Sequence, residues 1–334
     1  MTINDNWNML GHDWAVQLLK NHLRHGRIRH AYLFTGPQGL GRRTLALKLA
    51  QGINCQQPRF PGMPCGICRS CRLIERMEHP DLTIIQADRI GGNLKVDQIR
   101  ELQHRLSLSP YESKYRVALL LRFEEANPNA ANALLKTLEE PPPHVIMMLT
   151  SQDAQGLLPT IVSRCDLIRL RSLPVNTLAK GLETRLGLPA DEADLLAHIS
   201  AGRPGVAFSL HQDPDLSAQR QTWLEEHLRL LSANRAERFE FAERLATDRE
   251  SQGDFIQVWS SYWRDVLLVA SGSTVSVTNL DWKPAIVTLA NQLDPSKAAQ
   301  MLSALDHTSS LLSQNANPRL TLEVLMLDLP FLQG

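Results

Sequence analysis

Two hydrophobic patterns divide this chain. Over the first 170 residues, short fully apolar runs alternate with stretches that are apolar on one helical face. Trp14, Leu18, Leu19 and Leu23 fall near helical spacing within residues 13–25, and Ala31-Tyr32-Leu33-Phe34 is a short apolar run ending at the turn Gly36-Pro37-Gln38-Gly39. A helix is predicted from Thr44 to Gln51. A second spans 96–108, apolar at 96, 99, 102 and 106 with Asp97 in its first turn, and a third spans 130–140. Pro141-Pro142-Pro143 stops the third, because proline lacks a donor and clashes with the preceding turn. Residues 82–85, 117–121, 145–149 and 167–170 read as strands, and the unbroken apolarity of 117–121 suits a strand buried on both faces. Glu124 and Glu125 follow as expected N-terminal acids of a helix. Such β/α alternation predicts a parallel sheet flanked by helices.

Beyond Leu173 the strand signals vanish and Leu/Ala-rich helical patterns run to the C-terminus. They break at Gly202-Arg203-Pro204-Gly205, and again at Gly272-Ser273 and Asn279. The expected organisation is an α/β domain over 1–172, a small helical domain over 173–212 and a larger all-α domain over 213–334. The 334 residues are 43% hydrophobic and show no low-complexity tract, which excludes wholesale disorder. No run approaches the roughly 18–20 apolar residues of a membrane span. MTINDNWNMLGHDW has neither the basic nor the apolar region of a signal peptide, so a cytoplasmic location is expected.

Charge refines this picture. Lys+Arg and Asp+Glu both total 35, which argues against a basic nucleic-acid coat. Residues 1–170 nevertheless carry 21 basic and 15 acidic groups, leaving 14 and 20 for the rest. That asymmetry suits phosphate handling at the front and protein packing at the back, although unevenly solvated faces would read the same way.

Gly36-Pro37-Gln38-Gly39-Leu40-Gly41-Arg42-Arg43-Thr44 follows a predicted strand and opens a predicted helix, the place of a phosphate-binding loop. Gly36 and Gly41 keep the G-x-x-x-x-G spacing, but Arg42 replaces the loop lysine and Arg43 the hydroxyl that would bind Mg²⁺. Thr44 comes one residue late, about 100° further round the helix. The apolar run 117–121 leads into Arg122-Phe123, where a metal-holding Asp-Glu pair would be needed. With both metal-handling positions lost, neither ATP hydrolysis nor nucleotide binding is expected of this chain.

Cys55, Cys65, Cys68 and Cys71 have the spacing C-x9-C-x2-C-x2-C in a turn-rich segment, 55–78, with little apolar content. Four thiolates suit a closed tetrahedral structural Zn²⁺ site. Disulfides fit a cytosolic chain poorly. An iron–sulfur cluster shares the x2-x2 run and is the alternative, but Glu75 stands where the ferredoxin pattern places Cys-Pro. Ser163-Arg164-Cys165 precedes the last predicted strand. An arginine there is commonly a surface ion pair; in a domain without its own metal site it is also placed to serve a neighbour's nucleotide.

Three blocks carry a family resemblance. Cys55 with Cys-Gly-Ile-Cys-Arg-Ser-Cys at 65–71, Asn132-Ala133-Leu134-Leu135-Lys136-Thr137-Leu138-Glu139-Glu140-Pro141-Pro142, and Ser163-Arg164-Cys165 resemble the AAA+ clamp-loader subunits of bacterial DNA polymerase III. The resemblance extends over about residues 10–210 and is only architectural beyond. It implies a P-loop NTPase-like AAA+ sheet domain with an inserted zinc module, a helical lid and a helical collar for oligomerisation. Cys55, Cys65, Cys68 and Cys71 would hold zinc, and Arg164, with Ser163 and Cys165, would be an arginine finger acting in trans. Gly36, Gly39, Gly41, Arg42, Arg43 and Thr44 would be a vestigial phosphate loop.

The departures favour a non-hydrolysing member. Arg42, Arg43, Leu121 and Arg122 break the motor pattern, and Gly202-Arg203-Pro204-Gly205 lacks the G-x-x-R sensor arginine. Such a member would join gamma/tau and delta subunits in a ring that loads the sliding clamp on primed DNA, within a replisome at the nucleoid. Two other functions compete: an active AAA+ ATPase motor, and a zinc-dependent nucleic-acid-binding regulator. Lys136, Glu139 and Glu140 read as a helix end that shapes the following loop.

Overall fold

The computed structural model describes residues 6–89, 91–249, 251–314 and 316–332; the first five residues, read above for a targeting signal, lie outside them. Contacts divide the chain into two compact units, Met1–Gly181 with Arg203–Val206, and Leu182–Gly202 with Ala207–Gly334. Residues 173–212, expected as a separate helical domain, are thus shared between the two.

The first unit is built on α1 (Asp13–Arg24), β1 (Ala31–Thr35), α2 (Arg42–Asn54), α3 (Arg69–Glu75), β2 (Leu82–Ile85), α4 (Val96–Leu106), β3 (Arg116–Leu120), α5 (Pro128–Glu139), β4 (Val145–Ser151), α6 (Pro159–Val162) and β5 (Asp166–Arg169). The strands form one parallel sheet in the order β2-β3-β4-β1-β5. Side chains alternate across it as the period of two requires. Tyr32, Phe34, Val117, Leu119, Ile146 and Met148 enter one core with Val16, Leu19, Leu45 and Leu49 of α1 and α2. Ala31, Leu33, Ala118, Leu120, Met147 and Leu149 enter the other with Ile99, Leu102, Leu134 and Leu138 of α4 and α5. Both faces are covered, which is why the central strands read as unbroken apolar runs.

Two local details differ from the sequence reading. Glu124 and Glu125 lie in a single 3-10 turn, Phe123–Glu125, and do not lead α5. The N-cap of α5 is Asn127, whose side chain accepts the Ala130 N–H at 2.8 Å, with Pro128 at the first helical position. The helix α3, inside the cysteine segment, was not anticipated.

The chain leaves the first unit within α7 (Val175–Leu186) and continues through α8 (Ala190–Ile199), α9 (Pro204–Gln212), α10 (Pro214–Ser232), α11 (Arg235–Thr247), α12 (Ser251–Ala270), α13 (Lys283–Gln292), α14 (Pro295–Ser313) and α15 (Pro318–Asp328). Among its described residues the second unit has helices and no strand. Its core gathers Leu224, Phe241, Phe255, Trp259, Trp263, Met301, Leu305, Leu322 and Leu325. The buried Arg238 guanidinium donates to the carbonyls of Leu230, Leu231, Met326, Leu329 and Pro330, so one side chain satisfies the ends of both α10 and α15. No helix among the described residues is long and apolar enough to cross a membrane.

Candidate functional site

The four clustered cysteines converge. Cys55 caps the C-terminus of α2, Cys65 and Cys68 flank the Gly66 turn, and Cys71 lies in the first turn of α3. All four Sγ atoms lie within 4.8 Å of one another. A tetrahedral zinc with Zn–S bonds near 2.3 Å needs sulfurs about 3.8 Å apart, so this donor set fits such an ion with little movement. The backbone is already wound for it. Cys65 N donates to Cys55 Sγ at 3.3 Å, Cys68 N to Cys65 Sγ at 3.2 Å and Cys71 N to Cys68 Sγ at 3.4 Å. These bonds stabilise the thiolate over the thiol.

Burial pushes the Cys65 thiol up, but the N–H groups of Cys68 and Ile67 and the neighbouring thiols outweigh it and bring it down to about 6. Burial raises Cys55 and Cys71. Gln51 Nε2 donates to Cys71 O at 2.7 Å and Ser70 Oγ to Asn54 O at 3.0 Å, which fixes α3 on α2. Trp7 Nε1 ties Gly62 O to the domain at 2.9 Å.

The glycine loop follows β1 and opens α2 as expected. Gly36 has φ 140° and lies so close to β5 that a Cβ would come within 2.5 Å of Leu170 O. Gly39 has φ 86°, and its carbonyl accepts the Gly205 N–H at 2.7 Å. A Cβ on Gly39 would meet Val206 Cγ2 at 2.6 Å, and one on Gly205 would meet Gly39 O at 2.9 Å. The tip of the loop is therefore packed against the first turn of α9.

Arg43 and Thr44 face solvent, whereas Arg42 is half-buried. Its Nη1 is buried without a hydrogen-bond partner among the described residues. Burial lowers its pKa, Glu124 works against that and Arg122 adds to it. Arg122, two residues beyond β3, has φ 49°; its N–H donates to Thr150 Oγ1 at 2.9 Å and its Nε to Glu125 Oε1 at 2.9 Å. Glu124 Oε1 accepts the Gln152 N–H at 3.3 Å. Two guanidiniums and two carboxylates thus balance one another where a metal–phosphate site would have a lysine and an acidic pair. Thr150 and Gln152 gave no sequence signal.

Arg164 lies at the end of α6, just before β5. Its Nη1 donates to Thr160 O at 2.9 Å and is 3.5 Å from Ser163 Oγ, while Nη2 pairs with Glu139 Oε1 at 2.7 Å. Ser163 Oγ donates to Thr160 O at 3.2 Å. Burial and Asp166 push the Cys165 thiol up to about 12, so it is a packed hydrophobe and not a nucleophile. The Glu139 contact was invisible in sequence, where this acid belonged to a helix end.

The family described as DNA polymerase III, delta subunit, matches residues 11–174, and the one described as DNA polymerase III, delta subunit, C terminal, matches residues 214–330. Among curated relatives, the DNA polymerase III subunit tau of Escherichia coli is 38% identical over 53% of this chain and 27% of its own length. The DNA polymerase III subunit delta' of Pseudomonas aeruginosa is 38% identical over 54% of this chain and 56% of its own. That of Bacillus subtilis is 37% identical over 56% and 53%. The chain thus spans about a quarter of the tau relative and a little over half of each delta' relative. The tau and delta' likenesses are alike in identity, at 37–38%, and the second family match extends the likeness to delta subunits into the helical unit. Together these matches, over residues 11–174 and 214–330, make it a member of the DNA polymerase III delta/delta' subunit family.

Proposed function

We propose that this chain is a non-hydrolysing accessory subunit of a clamp loader. It would assemble with gamma/tau-type and delta subunits, and through that complex help load the sliding clamp on primed DNA. Its phosphate loop is vestigial. Arg42 and Arg43 replace the lysine and the metal-binding hydroxyl, Arg122 replaces the acid of the strand end, and the Gly205 N–H takes up the loop tip. The residue exchange carries the reading, because Arg43 has no hydroxyl for Mg²⁺ and Arg122, bonded through Nε to Glu125 Oε1 at 2.9 Å, stands where a carboxylate would hold the ion. Arg164 serves in trans, its positive charge stabilising the phosphoryl group being transferred on a neighbouring subunit. Cys55, Cys65, Cys68 and Cys71 hold a structural zinc, which supplies no chemistry beyond fixing 55–78, since four thiolates leave no open position. The segment 173–212 acts as a lid and 213–334 as a collar for assembly.

Steady-state ATP hydrolysis by the purified chain, with and without primed DNA, tests this first. No turnover is expected. Magnesium-dependent turnover would make the chain a motor and overturn the assignment of Arg43 and Arg122. In the assembled complex, Arg164→Ala is expected to leave assembly intact and to lower hydrolysis at the served site on the order of 10³-fold. Unchanged hydrolysis in a verified complex would remove the finger role.

A further inference from the structure

We propose that Glu139 is a positioning residue for Arg164, its carboxylate holding the guanidinium in the orientation from which it reaches a neighbour's nucleotide; this rests on the finger reading above. Two elements hold the group at two nitrogens. Glu139, the last residue of α5, takes Nη2 at 2.7 Å, and Thr160, in α6, takes Nη1 at 2.9 Å through its carbonyl. The side chains stay 35% and 51% exposed, so the pair is not buried structure. As a stabilising contact such an exposed pair contributes little. Its effect is on conformation, since a free arginine loses rotamer entropy when it is fixed. An arginine already held by Glu139 and Thr160 has lost part of that freedom before its partner arrives. A donor aimed in advance also needs no reorganisation as charge develops on the phosphoryl group.

Neither residue exchanges a proton in this scheme. The oxygen of water bonds to the γ-phosphorus, the bond to the β–γ bridging oxygen breaks with its electron pair left on ADP, and the released proton goes to solvent. Glu139 lies in the block that the sequence assigned to helix termination alone.

The test is a double-mutant cycle in the assembled complex, measuring kcat and KM for ATP. Glu139→Ala is expected to lower kcat about 3- to 10-fold with KM unchanged. Glu139→Asp should restore part of the loss, and adding Glu139→Ala to Arg164→Ala should cost nothing more. If Glu139→Ala fails to assemble, the near-isosteric Glu139→Gln carries the same cycle. A kcat at or above wild type, or an additional loss in the Arg164→Ala background, overturns the proposal while leaving the finger in place. If Arg164→Ala itself leaves kcat unchanged, the finger and its positioning residue fall together.

Discussion

Asp81 has no solvent exposure, yet its carboxylate accepts the backbone N–H groups of Tyr111, Glu112 and Ser113 at 2.6, 2.9 and 2.9 Å. Arg116 lies 3.6 Å away. Burial pushes the carboxyl up, but the three N–H groups and Arg116 outweigh it and leave it below the ordinary range. One residue before β2 thereby fixes the loop that leads into β3. Asp81→Asn should destabilise the sheet unit by about 2–3 kcal/mol, because the amide turns one NH₂ toward donors. Amide exchange at residues 111–113 should rise well above the rest of the unit, and unchanged protection there would refute this role. The stabilisation is present above the unfolded carboxyl value near 4 and is lost as pH falls through the lower folded value. Nothing local marks this aspartate, since its partners lie on the far side of α4. Arg164 was legible for the opposite reason, as part of a contiguous three-residue block, whereas its partner Glu139 was not.

Among the elements, the cysteine module follows from spacing and the phosphate loop only in part. The Cys-x2-Cys-x2-Cys run turns three thiols toward one point, and Cys55 at the end of α2 supplies the fourth. The helix α3 was missed because seven residues are too few to show a period. Its place is set by Gln51 and Ser70, which bond it to α2. Cys68→Ser should abolish stoichiometric zinc, measured by elemental analysis. The same variant, or chelation of the wild-type protein, should sharply increase proteolysis within 55–78 while the strand order persists. Retained zinc in the variant would exclude Cys68 as a ligand. In the glycine loop, sequence placed Gly36 and Gly41 at the G-x-x-x-x-G interval, with Arg42 and Arg43 directly after it. The Gly39–Gly205 bond joins residues far apart along the chain, and no local pattern announces it.

The whole molecule combines a sheet unit and a helical unit whose acid responses should differ. In the helical core, His227 is fully buried with ring centroids 4.7 Å from Trp259, 4.8 Å from Tyr262 and 5.4 Å from Trp263. Burial lowers its pKa to about 3, so it stays neutral when folded and takes up a proton near 6.5 when unfolded. Its effect on stability is therefore absent above about pH 6.5 and grows as a penalty while pH falls toward 3, about 2 kcal/mol at pH 5. His227→Phe should flatten the loss of urea midpoint between pH 6.5 and 4, followed by tryptophan fluorescence. An unaltered slope would assign the acid sensitivity elsewhere. The alternation of strands and helices, the change to a helical second half, the cysteine cluster and the glycine loop are all legible in the sequence alone. Each of these is written in residues close together in the chain, where side-chain period and ligand spacing act directly. Only the tertiary structure decided that Glu139 holds Arg164, that Gly205 takes the loop tip, that Asp81 fixes a distant loop and that Arg238 joins two helix ends. Those contacts arise because buried polar groups must find partners wherever the fold brings them, and that choice is made in space, not along the chain.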